Sequence, residues 1–289
     1  MPDPTRRTIS STEAPALVGA SPYLTRWMLW QRLAKGVEIP FEPTGRTNWG
    51  LLMQPLLIAQ AQEDRHLDCT PIDSYLSRNL LGATKDAIIH CPSRGDGALE
   101  TKVVFDYRVW MREWKGGDRP PRNYEIQLQV QMYVGDGVTP YNWGVLAPWV
   151  GGEMKYFERE PEPALWSTLE SEAELLYDDI RAGREPDPFG VEVELPLLYE
   201  LYPTVPESLL DLREDDSGAY WAERAAEYAI ERARALGAKK ETDRERAALI
   251  ALAKGAEKVL LPDGIIVTIG KRNRLGVYAP GIEIAAEDV

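Results

Sequence analysis

Residues 81–104 read LGATKDAIIHCPSRGDGALETKVV. Three short apolar segments, RNLLGAT (78–84), DAIIHC (86–91) and GALETKVV (97–104), are separated by Pro92, Ser93, Gly95, Asp96 and Gly97, residues that turn a chain. The pattern is that of a β-meander and predicts three strands. Side chains two apart in a strand share a face, so Glu100 and Lys102 point the same way, and a hairpin brings Asp86 alongside them. Two carboxylates and an ammonium then converge. Carboxylate oxygens suit Mg2+ or Mn2+, which keeps waters and substrate oxygens in its shell, so two protein carboxylates and a carbonyl suffice to hold it. Such a cation would hold a scissile phosphate and help to deprotonate water. Lys102 would place that nucleophile or offset the charge on phosphorus. As a bare spacing, the same residues also describe a surface salt bridge on a hairpin.

Before this stretch, helical periodicity predicts three helices. The first runs from about Ser11, capped by Ser10, Ser11 or Thr12, to near Gly19. The second is LTRWMLWQRLAKG (24–36), with Leu24, Trp27, Met28, Trp30 and Leu33 as its apolar stripe and Gly36 as its stop. The third, roughly Asn48 to Asp64, would turn Leu51, Leu52, Pro55, Leu56 and Ile58 toward a core, with Pro55 near its first turns.

After the meander, NYEIQLQVQMYVGDG (123–137) is ambiguous. Ile126, Leu128, Val130, Met132 and Val134 alternate like a strand, yet Ile126, Val130 and Val134 also fit one helical face; the residues alone favour a strand. WGVLAPWV (143–150) and EMKYFERE (153–160) predict a hairpin around Gly151-Gly152, and Pro163 to Arg184 an acidic helix. The proline-rich residues 183–207 read as an extended connection. Gly218 to Glu257, broken at Gly237, reads as a helical hairpin, and residues 258–280 as short strands turning at Asp263-Gly264. The expected organisation is a mixed α/β core over 1–189, an extended linker over 190–217, and a C-terminal helical hairpin with a β-hairpin tail over 218–289.

With 289 residues, 44% hydrophobic and 27% charged, the composition excludes global disorder and a fibrous repeat. No apolar run approaches the roughly 18 residues of a membrane span and the first residues lack a signal peptide's apolar stretch, so the cytoplasm is the expected location. Cys69 and Cys91 are too few for a disulfide scaffold and read as buried thiols; His66 and His90 lack the third ligand that a zinc site needs. The net charge of -13 suggests repulsion from polyanions, but it is unevenly spread. Residues 1–152 hold 16 basic and 16 acidic side chains, and residues 153–224 hold 6 and 20. The first half is therefore neutral and contains a basic stretch, Arg108, Arg112, Lys115, Arg119 and Arg122, so nucleic acid stays open as a partner. Trp110 and Trp114, interleaved with it, could stack on nucleic acid or serve a core.

Taken together, these segments resemble the YqaJ-type viral recombinase nucleases, relatives of phage lambda exonuclease within the PD-(D/E)XK superfamily. ISSTEAPALVGASPYLTRWMLWQRLAKG is similar to that family's first motif, LLGATKDAII to the segment ending in its metal-binding aspartate, GALETKVV to its E-x-K strand, and YEIQLQVQMYVGDG to its glutamine motif. The likeness runs in order from about Ile9 to Glu160. It implies a restriction-endonuclease-like core, a central mixed sheet flanked by helices, with the glutamine segment as a helix rather than a strand. It also implies that Asp86, Glu100 and the Thr101 carbonyl bind Mg2+ or Mn2+ and that Lys102 is catalytic. Gln127 and Gln131 would contact the site or the nucleic acid, and Thr12, with Ser11 beside it, would lie near a terminal phosphate of DNA. The implied activity is exonucleolytic hydrolysis of double-stranded DNA ends, 5′ to 3′, for phage-type recombination, with a single-strand annealing protein as partner and a ring-shaped homotrimer as assembly. Arg108, Arg112 and Lys115 are the candidate backbone contacts.

Two positions depart from the pattern. Gln54 stands where relatives usually carry a glutamate that supports the metal; glutamine offers a carbonyl oxygen but no charge. This leaves open a one-metal nuclease, a catalytically impaired DNA-binding or recombination scaffold, or a chain altered to trap a complex. Lys85 replaces the superfamily's proline and would add positive charge beside the phosphate.

Overall fold

The computed structural model describes residues 7–40, 45–188 and 191–203, then 213, 215–220, 222, 223, 225, 226, 229, 230, 232–235 and 237–239, and the strand residues 258–260, 266–269 and 275–278. The chain divides into two compact units, Met1–Pro203 and Thr204–Val289. In chain order the first unit contains β1 (Ile9–Ser10), α1 (Ala14–Leu17), α2 (Arg26–Lys35), α3 (Gly45–Arg65), β2 (Asp68–Pro71), β3 (Leu76–Arg78), β4 (Leu81–Ala83), β5 (Ala87–His90) and β6 (Gly97–Val104). Then follow α4 (Tyr107–Glu113), α5 (Arg122–Val134), β7 (Gly144–Val150), β8 (Glu153–Met154), β9 (Phe157–Arg159), α6 (Pro163–Arg181) and α7 (Leu195–Leu201).

The main sheet is mixed, in the order β2-β5-β6-β7-β8, with β9 also paired to β7. β5 and β6 form the expected antiparallel hairpin, Ile89 opposite Gly97 and Ala87 opposite Leu99. Gly97 is fixed by a neighbour, since a Cβ there would sit 2.6 Å from the Trp143 ring. β6 runs parallel to β7 over seven residue pairs, Ala98 with Gly144 through Val104 with Val150, a connection that must cross over a face of the sheet and does so through α4 and α5. The hairpin around Gly151-Gly152 is present, with Val150 opposite Glu153. RNLLGAT does not join this sheet: β4 pairs with β1 and β3 in a separate three-stranded sheet. The meander expectation is corrected there to two strands in one sheet and one in another.

Helices α3 and α5 cover opposite faces of the main sheet. Ile58 and Ala61 of α3 pack on Ala87, Ile89, Leu99, Val145 and Ala147, while Leu128 and Met132 of α5 pack on Ala98, Val104 and Leu146. The other side of α5, Ile126, Val130 and Val134, closes a second core with α1, α2, β4 and α6. Every residue from Ile126 to Val134 is buried. This explains the ambiguous pattern of 123–137: a helix packed on two opposite sides carries apolar residues on both, Ile126, Val130 and Val134 on one and Leu128 and Met132 on the other, and the single stripe of period 3.6 is lost.

Local rules hold at α2, where the Thr25 side chain accepts from the Met28 N–H at 3.2 Å and Gly36 ends the helix at φ 67°. They mislead at α3, which starts earlier than expected and carries Pro55 in its interior. Leu51, Leu52 and Leu56, expected in the core, are 67%, 67% and 68% exposed; the helix buries the expected Ile58 together with Leu57 and Ala61. Residues 183–207 are not wholly extended either. A 3-10 turn over Glu192–Glu194 leads into α7, Leu197 is buried, and the Thr25 hydroxyl donates to the buried Glu194 carboxylate at 2.5 Å. Of the two cysteines only Cys69 is buried, and burial pushes its thiol up to about 11.

In the second unit, residues 218–220 and 237–239 are helical, so the break expected at Gly237 does not fall there. Of the helix expected after it, residues 238 and 239 are described and helical, and the rest lies outside the described residues. β10 (Lys258–Leu260), β11 (Ile266–Ile269) and β12 (Leu275–Tyr278) form the expected antiparallel strands; Asp263-Gly264 lies outside the described residues.

Candidate active site

The site forms where β5 and β6 part. Their ladder ends at Ala87 and Leu99, so the Thr101 N–H lies beyond the last pair. Asp86, the residue before β5, takes it: one carboxylate oxygen accepts from Thr101 N at 2.7 Å and from Thr101 Oγ1 at 2.6 Å. The other oxygen accepts from Gln54 Nε2 of α3 at 2.9 Å. A carboxylate thus replaces the missing strand partner, which fixes its position against the E-x-K strand.

Glu100 is only 3% exposed and is held from α5. Gln127 Nε2 donates to its Oε1 at 2.7 Å and Gln131 Nε2 to its Oε2 at 2.6 Å. The four-residue spacing puts both amides on one helical face, as expected. Lys102 Nζ also donates to Glu100 Oε1, and the ammonium lies 5.0 Å from the centre of the Tyr124 ring. Gln129, between the two site glutamines, is structural: it donates to the Glu160 carbonyl at 2.7 Å and accepts from Glu162 N and Trp166 Nε1, both at 2.9 Å.

Burial, and then the charge of Glu100, pushes the Asp86 carboxyl up to about 7, against the opposing pull of Thr101 and Lys102. Two carboxylates are therefore brought together at a cost that a cation between them would remove. Gln131 Oε1 is buried without a partner, a second sign that the polar set is incomplete. Two carboxylates form an oxygen pair suited to a hard divalent cation. The set is sparse. Among the described residues no three His, Cys, Asp or Glu side chains gather to hold a metal, and Gln54 brings a neutral amide to Asp86.

A pH dependence follows. Asp86 keeps its proton to higher pH in the fold than in the unfolded chain, so its contribution to stability is complete below 3.8 and lost as pH rises through about 7. The thermal unfolding midpoint of the metal-free protein is expected to fall across that window relative to Asp86→Asn. Added Mn2+ should raise the midpoint more at about pH 8 than at about pH 5.5, because protons compete for the same oxygens. Parallel pH profiles for the two proteins would contradict the burial of this carboxylate.

The remaining candidates are distributed as follows. Ser11 is buried, while Thr12 is exposed with its hydroxyl 3.1 Å from that of Ser10. Glu13 of the same motif pairs with Arg7 at 3.3 Å and Arg32 at 2.9 Å, tying α1 to α2. Arg108, Arg112 and Lys115 are exposed; Arg108 pairs with Asp106 at 3.3 Å and Arg112 with Glu113 at 3.0 Å. Trp110 and Trp114 are buried, stacked at 5.4 Å, and packed with Phe157, so they belong to the core and not to a surface for bases. Lys85 is 1% exposed, with its ammonium 5.4 Å from the centre of the Tyr141 ring and in the field of Asp136. Burial lowers its pKa to about 8. It is therefore enclosed and does not present its charge to a phosphate. Tyr124 and the Thr101 side chain were not expected in the site. Tyr124 stands three residues before Gln127, one turn along α5, which is a visible signal once the segment is read as a helix.

Residues 5–139 match the YqaJ-like viral recombinase domain. No curated protein matches the chain. Among solved structures, an alkaline exonuclease (LHK-Exo) from Laribacter hongkongensis is 16% identical, with 62% of this chain and 90% of that chain covered and a TM-score of 0.49. Its complex with dAMP gives the same identity and TM-score over 63% and 91% of the two chains. A phage related exonuclease from Haemophilus somnus 129PT is 13% identical over 62% and 96%, with a TM-score of 0.49.

Proposed function

We propose, from the YqaJ-like viral recombinase domain that this chain carries, that the protein is a metal-dependent exonuclease acting on double-stranded DNA ends. The observation that supports this reading most directly is the meeting of Asp86, Glu100 and Lys102 at the open end of the β5–β6 hairpin. In this reading Asp86, Glu100 and the Thr101 carbonyl hold Mg2+ or Mn2+, which when bound supplies a Lewis acid for the scissile phosphate. Thr101 orients Asp86 through its amide and hydroxyl, and Gln127 and Gln131 orient Glu100. Lys102 places its ammonium where the attacking water and the charge gathering on the phosphoryl oxygens need a fixed positive group. The exposed Thr12, Arg108, Arg112 and Lys115 are the proposed contacts to the DNA backbone. The 5′-to-3′ direction, a single-strand annealing protein as partner and a ring of three copies belong to the same reading. No described helix is long and apolar enough to cross a membrane.

Digestion of end-labelled linear and closed circular duplexes with Mg2+ or Mn2+ tests it. Linear DNA should shorten from its ends and circles should survive. Intact linear DNA under both metals, even after Gln54→Glu, would overturn the proposal. Gln54→Glu itself is expected to tighten Mn2+ binding by about tenfold, since a carboxylate replaces a neutral amide next to Asp86.

A second reading is favoured by Gln54 alone. Its amide already donates to an Asp86 oxygen and so competes with a cation for it, which fits a scaffold that binds DNA without cutting it. Duplex binding without cleavage under every metal, together with cleavage by Gln54→Glu, is the signature of that reading.

A further inference from the structure

We propose that Tyr124 is a positioning residue for Lys102, holding the ammonium in place through its ring face while Glu100 is engaged elsewhere. The inference deepens the reading of Lys102 as the catalytic ammonium and rests on it. A lysine side chain has four flexible bonds, and a single hydrogen bond to a carboxylate does not fix its charge. Two groups restrain it here, the Glu100 carboxylate and the Tyr124 ring at 5.0 Å. The first restraint weakens whenever Glu100 oxygens turn to a cation. The second does not, because the attraction between an ammonium and a ring face uses no carboxylate oxygen. An acid in place of the ring would also hold the lysine, but it would compete for the cation and cancel the charge that the reaction needs.

The ring is itself held. Trp114 stacks on Tyr124 at 5.5 Å and Trp110 on Trp114 at 5.4 Å, with Phe157 packed at 5.9 Å from Trp114. At the other end, the Tyr124 phenol interacts with Tyr23. Tyr23 lies in the turn before α2, where Ser21 Oγ accepts from the N–H groups of Tyr23 at 3.2 Å and Leu24 at 3.1 Å. Burial and the Tyr23 contact push the phenol pKa up, so the ring stays neutral. The two tryptophans of the basic stretch thus bear on the site indirectly, as the backing of the ring behind Lys102.

Replacing Tyr124 with phenylalanine and then with increasingly fluorinated phenylalanines tests this. Fluorination keeps the packing and weakens the negative face of the ring. Turnover on linear duplex is expected to fall by about tenfold from the Tyr124→Phe protein to the protein with the most fluorinated ring, KM being unchanged. In protein with 13C-labelled lysine, the Lys102 ε-methylene signal, identified by its loss in Lys102→Arg, should be shifted upfield by the ring. Equal turnover across the fluorinated series, or an unshifted Lys102 signal in the parent, would overturn the proposal. If the parent turns out not to cut DNA, the lysine signal decides. A shifted signal together with full activity of Lys102→Ala would refute the catalytic reading and leave only the placement of the ammonium.

Discussion

Lys102→Ala is expected to reduce cleavage of linear duplex DNA by at least about a hundredfold while leaving the fold intact. Lys102 sits on β6 with its ammonium between Glu100 and the Tyr124 ring. Removing it takes away a positive group on a partly exposed side chain, and β6 keeps its full pairing with β7. Glu100 keeps its donors from Gln127 and Gln131 and is not left as an unsatisfied buried charge. A matched circular dichroism spectrum and thermal midpoint, beside an end-labelled digestion, separate the two effects. Full activity in a folded Lys102→Ala protein would remove Lys102 from the chemistry.

Asp86→Asn should abolish measurable Mn2+ binding in calorimetric titration. The amide keeps the shape of the carboxylate and can still accept from the Thr101 N–H, so the strand end stays closed. What is lost is one of the two negative charges that, among the described residues, this site offers a cation. In the absence of metal the same variant is expected to be at least as stable as the parent above about pH 7, because it removes a carboxylate that burial and Glu100 disfavour there. Loss of binding with stability retained identifies Asp86 as a ligand. Undiminished Mn2+ binding would place the metal elsewhere, and a large loss of stability would assign Asp86 to the architecture alone.

The core of the site was legible because its signals are local. The turn residues between Cys91 and Gly97 form a hairpin, and the period of two sets Glu100 and Lys102 on one strand face. The glutamine segment was not legible from the residues alone. Its alternation arises because α5 is walled in by the sheet on one side and by α1, α2 and α6 on the other, and the resemblance supplied the helix. On α3, the stripe of Leu51, Leu52 and Leu56 looked like a core face, but the sheet takes the neighbouring arc with Leu57, Ile58 and Ala61. Lys85 looked like a charge for the phosphate and is instead buried against Tyr141.

By itself, then, the sequence determined the β5–β6 hairpin, the acid and E-x-K residues that meet on it, the cap and stop of α2, and the order of motifs along the first half of the chain. Each depends on residues within a few positions of one another, where backbone sterics and side-chain alternation act without help. Only the tertiary structure decided what surrounds them: Gln127 and Gln131 on Glu100, Gln54 on Asp86, the tryptophans behind Tyr124, and Thr25 joined to Glu194 across most of the first unit. Those contacts bring together segments far apart in the chain. Which side chain receives a polar partner depends on the shape left between packed helices and strands, and no local pattern contains that shape.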